Sequence, residues 1–96
     1  MEVLVTYDIA TADRAGERRL LNVAKICESF GLRVQYSVFE CRLSHSRLEQ
    51  LITDLDMTID SRTDRVDIYV FPGILADSKR SLGRQATHSI SKPWIV

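Results

Sequence analysis

The chain has few of the residues that mark the commonest protein sites. Its two cysteines, Cys27 and Cys41, are far apart and match neither a zinc-binding spacing nor a C-x-x-C motif. Both lie within apolar patterns, so they are predicted to be small buried hydrophobic residues. The two histidines, His45 and His88, show no metal-ligand spacing. No P-loop, G-x-G-x-x-G or G-x-S-x-G motif is present, so the sites that these motifs define are not indicated.

Long apolar runs are also absent. No stretch approaches the roughly 20 residues that span a bilayer, and no basic segment followed by an apolar one opens the chain. A chain of 96 residues with 45% hydrophobic and 27% charged residues supports one core. The sequence therefore predicts one globular domain that is cytoplasmic and has no membrane partner.

Net charge is absent too, since 13 Lys and Arg residues balance 13 Asp and Glu residues. This balance argues against indiscriminate binding to nucleic acid. The charges are unevenly placed, however, because residues 61–96 carry six basic residues against three acidic ones. Most of the basic residues are arginines, which suit bidentate recognition of phosphate better than lysines do. A basic face in the folded or paired protein remains compatible with the zero total.

What the chain does have is a clear order of strands and helices. The apolar run Val3-Leu4-Val5-Thr6-Tyr7 predicts a buried strand. Thr11-Ala12-Asp13 has N-cap chemistry for a helix that continues to Phe30. Gly31 then predicts a helix end in the left-handed conformation.

The second half repeats this organisation. Between Arg33 and Leu43 the apolar phase slips by one residue at Val38, which predicts two short strands joined by a bulge or tight reversal. Ser44 caps a second helix with an apolar stripe, and residues 66–71 alternate as a fourth strand.

The order β-α-β-β-α-β predicts an α+β, ferredoxin-like fold with an antiparallel four-stranded sheet. Residues 1–73 are predicted to form this core. Residues 74–96 are predicted to be a C-terminal basic segment that closes with an extra C-terminal strand, docked on the partner of a homodimer. Because two helices cover one sheet face, the other face is predicted to meet a partner. The residues assigned to this uncovered face and to the dimer interface are Val5, Tyr7, Phe39, Trp94 and Ile95.

Asp8 is the candidate catalytic and metal-binding residue. It ends the first strand, where loops converge and sites form, and the arginine-rich helix start follows it. A lone acid beside arginines suits a divalent metal and a phosphate diester. One carboxylate holds Mg²⁺ poorly, but a homodimer would bring two Asp8 side chains together. The alternative is an acid that caps the next turn or pairs with an arginine.

The arginines at the helix start are the candidate nucleic-acid contacts. Cations are unfavourable near a helix N-terminus, so Arg14, Arg18 and Arg19 indicate an anionic partner. The alternative is a solvated face, or pairs with Glu17 and Asp13. Binding of phosphates without reading of bases is predicted for these arginines and for three basic residues of the tail, Lys79, Arg80 and Arg84.

These segments together resemble a known family. The residues that carry the resemblance are VTYDI at 5–9, GERRL at 16–20, VAKICE at 23–28, Gly31 and VQYSVFEC at 34–41. They resemble the Cas-two family, the small CRISPR-associated subunit of the spacer-acquisition machinery, in versions found with type I systems. The resemblance covers about residues 1–71, and YSVFEC is its most specific part.

The resemblance implies a ferredoxin-like homodimer whose C-terminal strand crosses to the partner. It implies Mg²⁺ or Mn²⁺ bound between the two Asp8 residues and an endonuclease acting on RNA or double-stranded DNA. It equally implies a non-catalytic scaffold that holds DNA between CRISPR-associated integrase dimers, or a relationship to toxin-type ribonucleases. A plain interaction module of the same fold is the alternative outside the family. An enzyme would require the Asp8 carboxylate and a scaffold would not, whereas both would require the arginines.

Overall fold

The computed structural model describes residues 1–73 and 79–83. Six elements follow one another in the predicted β-α-β-β-α-β order. Their bounds are β1 Glu2–Asp8, α1 Arg14–Phe30, β2 Gly31–Gln35, β3 Val38–Arg42, α2 His45–Thr58 and β4 Arg65–Phe71. The predicted C-terminal strand, with Trp94 and Ile95, lies outside the described residues, as does Arg84.

Both helices begin at the predicted capping residues. The Asp13 carboxylate accepts a hydrogen bond from the Gly16 amide at 2.8 Å, and the Ser44 hydroxyl accepts one from the Arg47 amide at 3.2 Å. Each cap satisfies a backbone N–H that has no partner inside its helix. The sequence therefore predicted both helix starts from local chemistry alone.

The strands form one sheet in the order β2-β3-β1-β4, and every neighbouring pair is antiparallel. β1 lies between β3 and β4, so the strand that carries Asp8 is central. Both helices pack on the same sheet face. The ferredoxin-like α+β fold is thereby confirmed for the described residues.

The apolar core lies between that sheet face and the helices. On β1, Val3, Val5 and Tyr7 are buried, and in the register they lie opposite or beside Phe39 and Cys41 of β3. These strand residues pack against buried side chains of both helices. The helical members of the core include Val23, Cys27, Leu48, Leu51 and Leu55.

The predicted placement of Val5, Tyr7 and Phe39 on the uncovered face is wrong. Val5 and Phe39 have no exposed area and Tyr7 has 7%, because the three side chains point into the core of their own chain. Tyr7 and Phe39 stack with ring centroids 6.1 Å apart. They therefore offer no surface to a second copy.

The open sheet face carries the alternate residues of each strand instead. In the register, Leu4 is paired with Glu40 and Tyr69, and Thr6 with Val38 and Asp67. The apolar members of this open face are Leu4, Leu32, Val38, Tyr69 and Phe71, all half-buried or exposed. No helix among the described residues covers this partly apolar face, which is therefore available to a partner.

The connection between β2 and β3 is the tight reversal, one of the two alternatives that the sequence left open at this point. Only Tyr36 and Ser37 join the two strands. A separate shift of the register lies within β2, between Arg33 and Gln35. The two-residue connection reverses the chain just before Val38. This reversal explains the slip of the apolar phase seen in the sequence.

Gly31 differs from the prediction. Its φ of −167° and ψ of −160° are extended, because β2 begins directly where α1 ends. A Cβ at this position would overlap the Glu40 carbonyl oxygen and lie 3.0 Å from the Cys41 Cα. Glycine is needed here for the close approach of two strands, and not for a left-handed turn.

Candidate functional site

Asp8 lies at the end of β1 with its side chain exposed. In the alternation of β1 it shares the open face with Leu4 and Thr6. Arg65 is its neighbour across the ladder, but the Arg65 guanidinium donates to the Asp67 carboxylate at 2.9 Å. Within residues 1–73 and 79–83, no ion pair involves Asp8. The acid is thus left available to a ligand.

The β2–β3 connection lies beside this end of β1. The Tyr7 amide donates to the Ser37 carbonyl oxygen at 3.1 Å, and the Tyr7 hydroxyl lies 3.5 Å from the Tyr36 carbonyl oxygen. The Tyr36 side chain is 83% exposed. The tip of the β2–β3 hairpin therefore lies beside the end of β1 that carries Asp8.

The three arginines of α1 are not equivalent. Arg14 and Arg18 are exposed on the first turns of the helix. Arg19 turns inward, where its Nε donates to the Asp64 carboxylate at 2.8 Å and its guanidinium lies 3.5 Å from the Ala10 carbonyl oxygen. The role of Arg19 as a phosphate contact therefore stays a prediction, and the structure shows that its guanidinium, 22% exposed, also has a partner within the chain. A buried carboxylate already binds this guanidinium.

Asp64 is a buried carboxylate close to the candidate site that the sequence did not reveal. Its side chain has no exposed area and accepts four hydrogen bonds, from donors in three segments of the chain. Burial by itself would raise the pKa of Asp64. Hydrogen bonds from the backbone amides of Asp60 and Ala10, together with the Arg19 guanidinium, outweigh burial and hold the pKa at about 2. Asp64 is therefore ionised at neutral pH.

The local sequence offers no signal for this role, because Asp64 looks like part of a polar connection between α2 and β4. Its partners Ala10 and Arg19 lie 54 and 45 residues away along the chain. Only the fold brings them together.

The basic residues of the tail, like the arginines of α1, include one that is paired within the chain and one that is exposed. The Lys79 ammonium donates to the Glu40 carboxylate at 2.8 Å, on the open sheet face. Its prediction as a phosphate contact is weakened, because this pair already neutralises the charge. Arg80 is exposed. Arg84 lies outside the described residues.

A single chain does not supply a complete metal site in its described part. Residues 1–73 and 79–83 contain no group of three or more His, Cys, Asp and Glu side chains that could hold an ion. Mg²⁺ prefers six oxygen ligands and is usually held by one or two carboxylates with water and substrate phosphate. Asp8 is a suitable oxygen donor, but it fits such a site only as one half of a pair.

The fold and the site together define a class of protein. It is a ferredoxin-like α+β domain with an exposed acid at the end of its first strand and exposed arginines on the helix that follows. Comparison with known proteins gives the family. The sequence pattern of the family described as CRISPR associated protein Cas2 matches residues 1–74.

Individual relatives agree with this family. The chain is 46% identical over 69 residues to the CRISPR-associated endoribonuclease Cas2 1 of Moorella thermoacetica, a match that covers 72% of each protein. It is 36% identical over 95 residues to the CRISPR-associated endonuclease Cas2 of Halalkalibacterium halodurans, covering 99% of each. The crystal structure of Cas2 from Streptococcus pyogenes superimposes with a TM-score of 0.77 at 40% identity, covering 86% of this chain and 100% of that one.

The chain therefore belongs to the CRISPR-associated Cas2 family. The resemblance drawn from the sequence is confirmed, and so is a nuclease-type protein of CRISPR adaptation as its function at the level of the family.

No helix in residues 1–73 or 79–83 is long and apolar enough to cross a bilayer.

Proposed function

We propose that the chain is a homodimeric, metal-dependent endonuclease of CRISPR adaptation that cleaves phosphodiester bonds through paired Asp8 residues in the cytoplasm. The observation that carries this proposal is the state of Asp8. It is an exposed carboxylate at the end of a central strand, and the nearest cation across the ladder, Arg65, is bound to Asp67. An acid without an ion-pair partner among the described residues is available for an ion and a phosphate. The names of the relatives, endoribonuclease and endonuclease, support the same reaction class.

A homodimer would complete the metal site, because each chain would supply one Asp8 carboxylate. The open face presents an apolar centre, with Tyr69 51% exposed, and Asp8 belongs to that same face. Two copies stacked face to face around a twofold axis would bury the apolar centre and bring two acids toward one place. Segment 74–96 is proposed to dock on the partner through a C-terminal strand that contains Trp94 and Ile95.

Two Asp8 carboxylates would together hold one Mg²⁺ or Mn²⁺, which when bound would stabilise negative charge on the phosphodiester. The chain's own cations would hold the rest of the substrate. Arg14 and Arg18 are exposed one helical turn apart, so both can contact successive phosphates. Arg80 is proposed to extend this basic surface.

The test uses labelled duplex DNA and single-stranded RNA, each incubated with wild type, with Asp8→Asn and with Asp56→Asn as the matched control. Asp56 is an exposed acid of α2. We expect cleavage by wild type and Asp56→Asn in Mg²⁺, and none in EDTA or with Asp8→Asn. Cleavage by Asp8→Asn at the wild-type rate would refute a role for this acid. The substrate that is cleaved identifies the nucleic acid.

The second candidate is a non-catalytic scaffold that holds DNA for a CRISPR-associated integrase. The observation in its favour is that the described part of one chain holds no group of three His, Cys, Asp or Glu side chains that could bind an ion. A scaffold requires the arginines and not Asp8. It therefore predicts no cleavage by any variant, together with duplex binding that survives Asp8→Asn.

Salt titration of duplex binding tests the arginines. Arg14→Ala with Arg18→Ala should weaken binding and lower the log–log salt slope by about 0.9 for each lost phosphate contact. The control pair is Arg42→Ala with Arg47→Ala, which removes two exposed arginines elsewhere on the domain. Equal losses in both pairs would mean that α1 is not a specific nucleic-acid surface.

A further inference from the structure

A buried ion pair lies directly behind the loop that follows Asp8. The first oxygen of the Asp64 carboxylate accepts from the Ala10 amide at 3.0 Å and from the Thr63 hydroxyl at 3.2 Å. The second oxygen accepts from Arg19 Nε and from the Asp60 amide, both at 2.8 Å. One fully buried carboxylate thus joins the β1–α1 loop, helix α1 and the α2–β4 connection.

This bond acts close to the candidate catalytic acid. Ala10 is two residues beyond Asp8, and Ile9 between them is buried with 7% exposure. On the other side of Asp64, Arg65 is the ladder partner of Asp8. The backbone around Asp8 is therefore held at two points, by the ladder to Arg65 and by the Asp64 carboxylate at Ala10.

Helix α1 closes the loop from the opposite side. Gly16 is buried, and a Cβ there would overlap the Ala10 carbonyl oxygen and lie 3.1 Å from the Thr11 Cα. The Ala10 peptide is thus packed against the helix while its amide is held by Asp64. A loop fixed in this way has little freedom to change the direction of the preceding side chain.

We infer that Asp64 is a positioning residue for Asp8: by holding the Ala10 amide, its carboxylate fixes the direction in which Asp8 presents its own carboxylate. Arg19 supports this role by holding Asp64 in place. The inference rests on the proposed function, because that function makes Asp8 the metal-binding catalytic acid. It adds a residue that touches neither substrate nor metal and acts only through the backbone.

Asp64→Asn is the informative variant because it keeps the shape of the side chain. One of the two oxygens becomes an NH₂ group, so either the Ala10 amide or the Arg19 and Asp60 donors lose their acceptor. The charged donor keeps the remaining oxygen most strongly, so the Ala10 amide is expected to be released. The comparison variant is Leu55→Ala, which destabilises a core residue of α2 without touching the loop.

The experiment first measures the loop without any reaction. Hydrogen exchange of the Ala10 amide and the ¹³C resonance of the Asp8 side-chain carboxyl are recorded well below the unfolding temperature. We expect Asp64→Asn to speed Ala10 exchange by at least about tenfold and to move the Asp8 resonance, whereas Leu55→Ala leaves the Asp8 resonance in place. If both variants give the same two readouts, Asp64 does not position Asp8 and the inference is wrong.

Cleavage then gives the second readout. Asp64→Asn should lower kcat by about tenfold or more with KM changed less than about twofold, because misplacement of a catalytic group affects the reaction more than binding. Leu55→Ala should keep the wild-type kcat. A wild-type kcat in Asp64→Asn would overturn the inference where cleavage depends on Asp8. Cleavage that does not depend on Asp8 would overturn the proposed function instead, and the hydrogen-exchange and resonance measurements would then decide the inference alone.

Discussion

Gly16→Ala is expected to destabilise the protein, although the same change usually stabilises a helix. Gly16 lies in the first turn of α1, where alanine would gain about 1 kcal/mol in helix propensity over glycine. The added Cβ would, however, overlap the Ala10 carbonyl oxygen and lie 3.0 Å from the Ala10 carbonyl carbon. These are backbone atoms and cannot rotate away, so the loop or the helix start has to move.

The size of the effect follows from what that movement breaks. The Ala10 amide lies 3.0 Å from the Asp64 carboxylate, and a shift of the loop lengthens this bond beyond hydrogen-bonding distance. A hydrogen bond to a charged group contributes about 1.5–3 kcal/mol, and forced overpacking costs about 1–3 kcal/mol. After the helix gain is subtracted, we expect the free energy of unfolding to fall by about 3 kcal/mol. The midpoint of thermal unfolding should then fall on the order of 15 °C.

Urea unfolding followed by far-UV circular dichroism measures this change at one fixed protein concentration, because self-association would alter the apparent stability. Gly73→Ala is the matched control. A Cβ at Gly73 meets nothing within 4 Å, so its effect should stay within about 0.5 kcal/mol. If Gly16→Ala is as stable as wild type, the Ala10 loop is not packed against α1 as the structure describes.

Three further predictions concern other parts of the domain. Because folding lowers the pKa of Asp64 from 3.8 to about 2, its ionised form stabilises the fold above about pH 4, and roughly 2–3 kcal/mol of this stability is lost as the pH falls through 2. Urea titrations between pH 5 and pH 2 should show this loss in wild type and not in Asp64→Asn. Burial raises the pKa of Cys27 to about 12 and that of Cys41 to about 11, so neither thiol should react with Ellman's reagent at pH 8 until urea unfolds the chain. Tyr69→Glu should convert the proposed dimer to a folded monomer in light scattering, while Leu21→Glu, on the exposed side of α1, should leave the proposed dimer intact.

The local sequence predicted the elements because their signals are local. Asp13 and Ser44 cap their helices through amides three residues away, and the apolar spacing of each helix faces one core. The order of six elements then allowed few topologies, and the antiparallel ferredoxin-like sheet is among them. Asp8 could be identified for the same reason, since a lone acid at the end of an apolar strand is visible without any long-range contact.

The prediction put residues of β1 on the wrong face, although the strand itself distinguishes its two faces. Glu2 and Asp8 place charges on one face, whereas Val3, Val5 and Tyr7 lie on the other. This alternation indicates that the uncharged set faces the core. The sheet register, which the sequence of β1 does not show, then places Phe39 opposite Val5 on the buried face.

The surroundings of Asp8 were decided by tertiary structure alone. Arg19 looks like its exposed neighbours Arg14 and Arg18 in the sequence, and Asp64 looks like one more polar residue of a loop. They meet because β4 pairs with β1 and brings the end of the α2–β4 connection beside the start of α1. An ion pair between residues 45 positions apart depends on the whole fold, so the sequence could place the candidate catalytic acid but not the carboxylate that lies behind it.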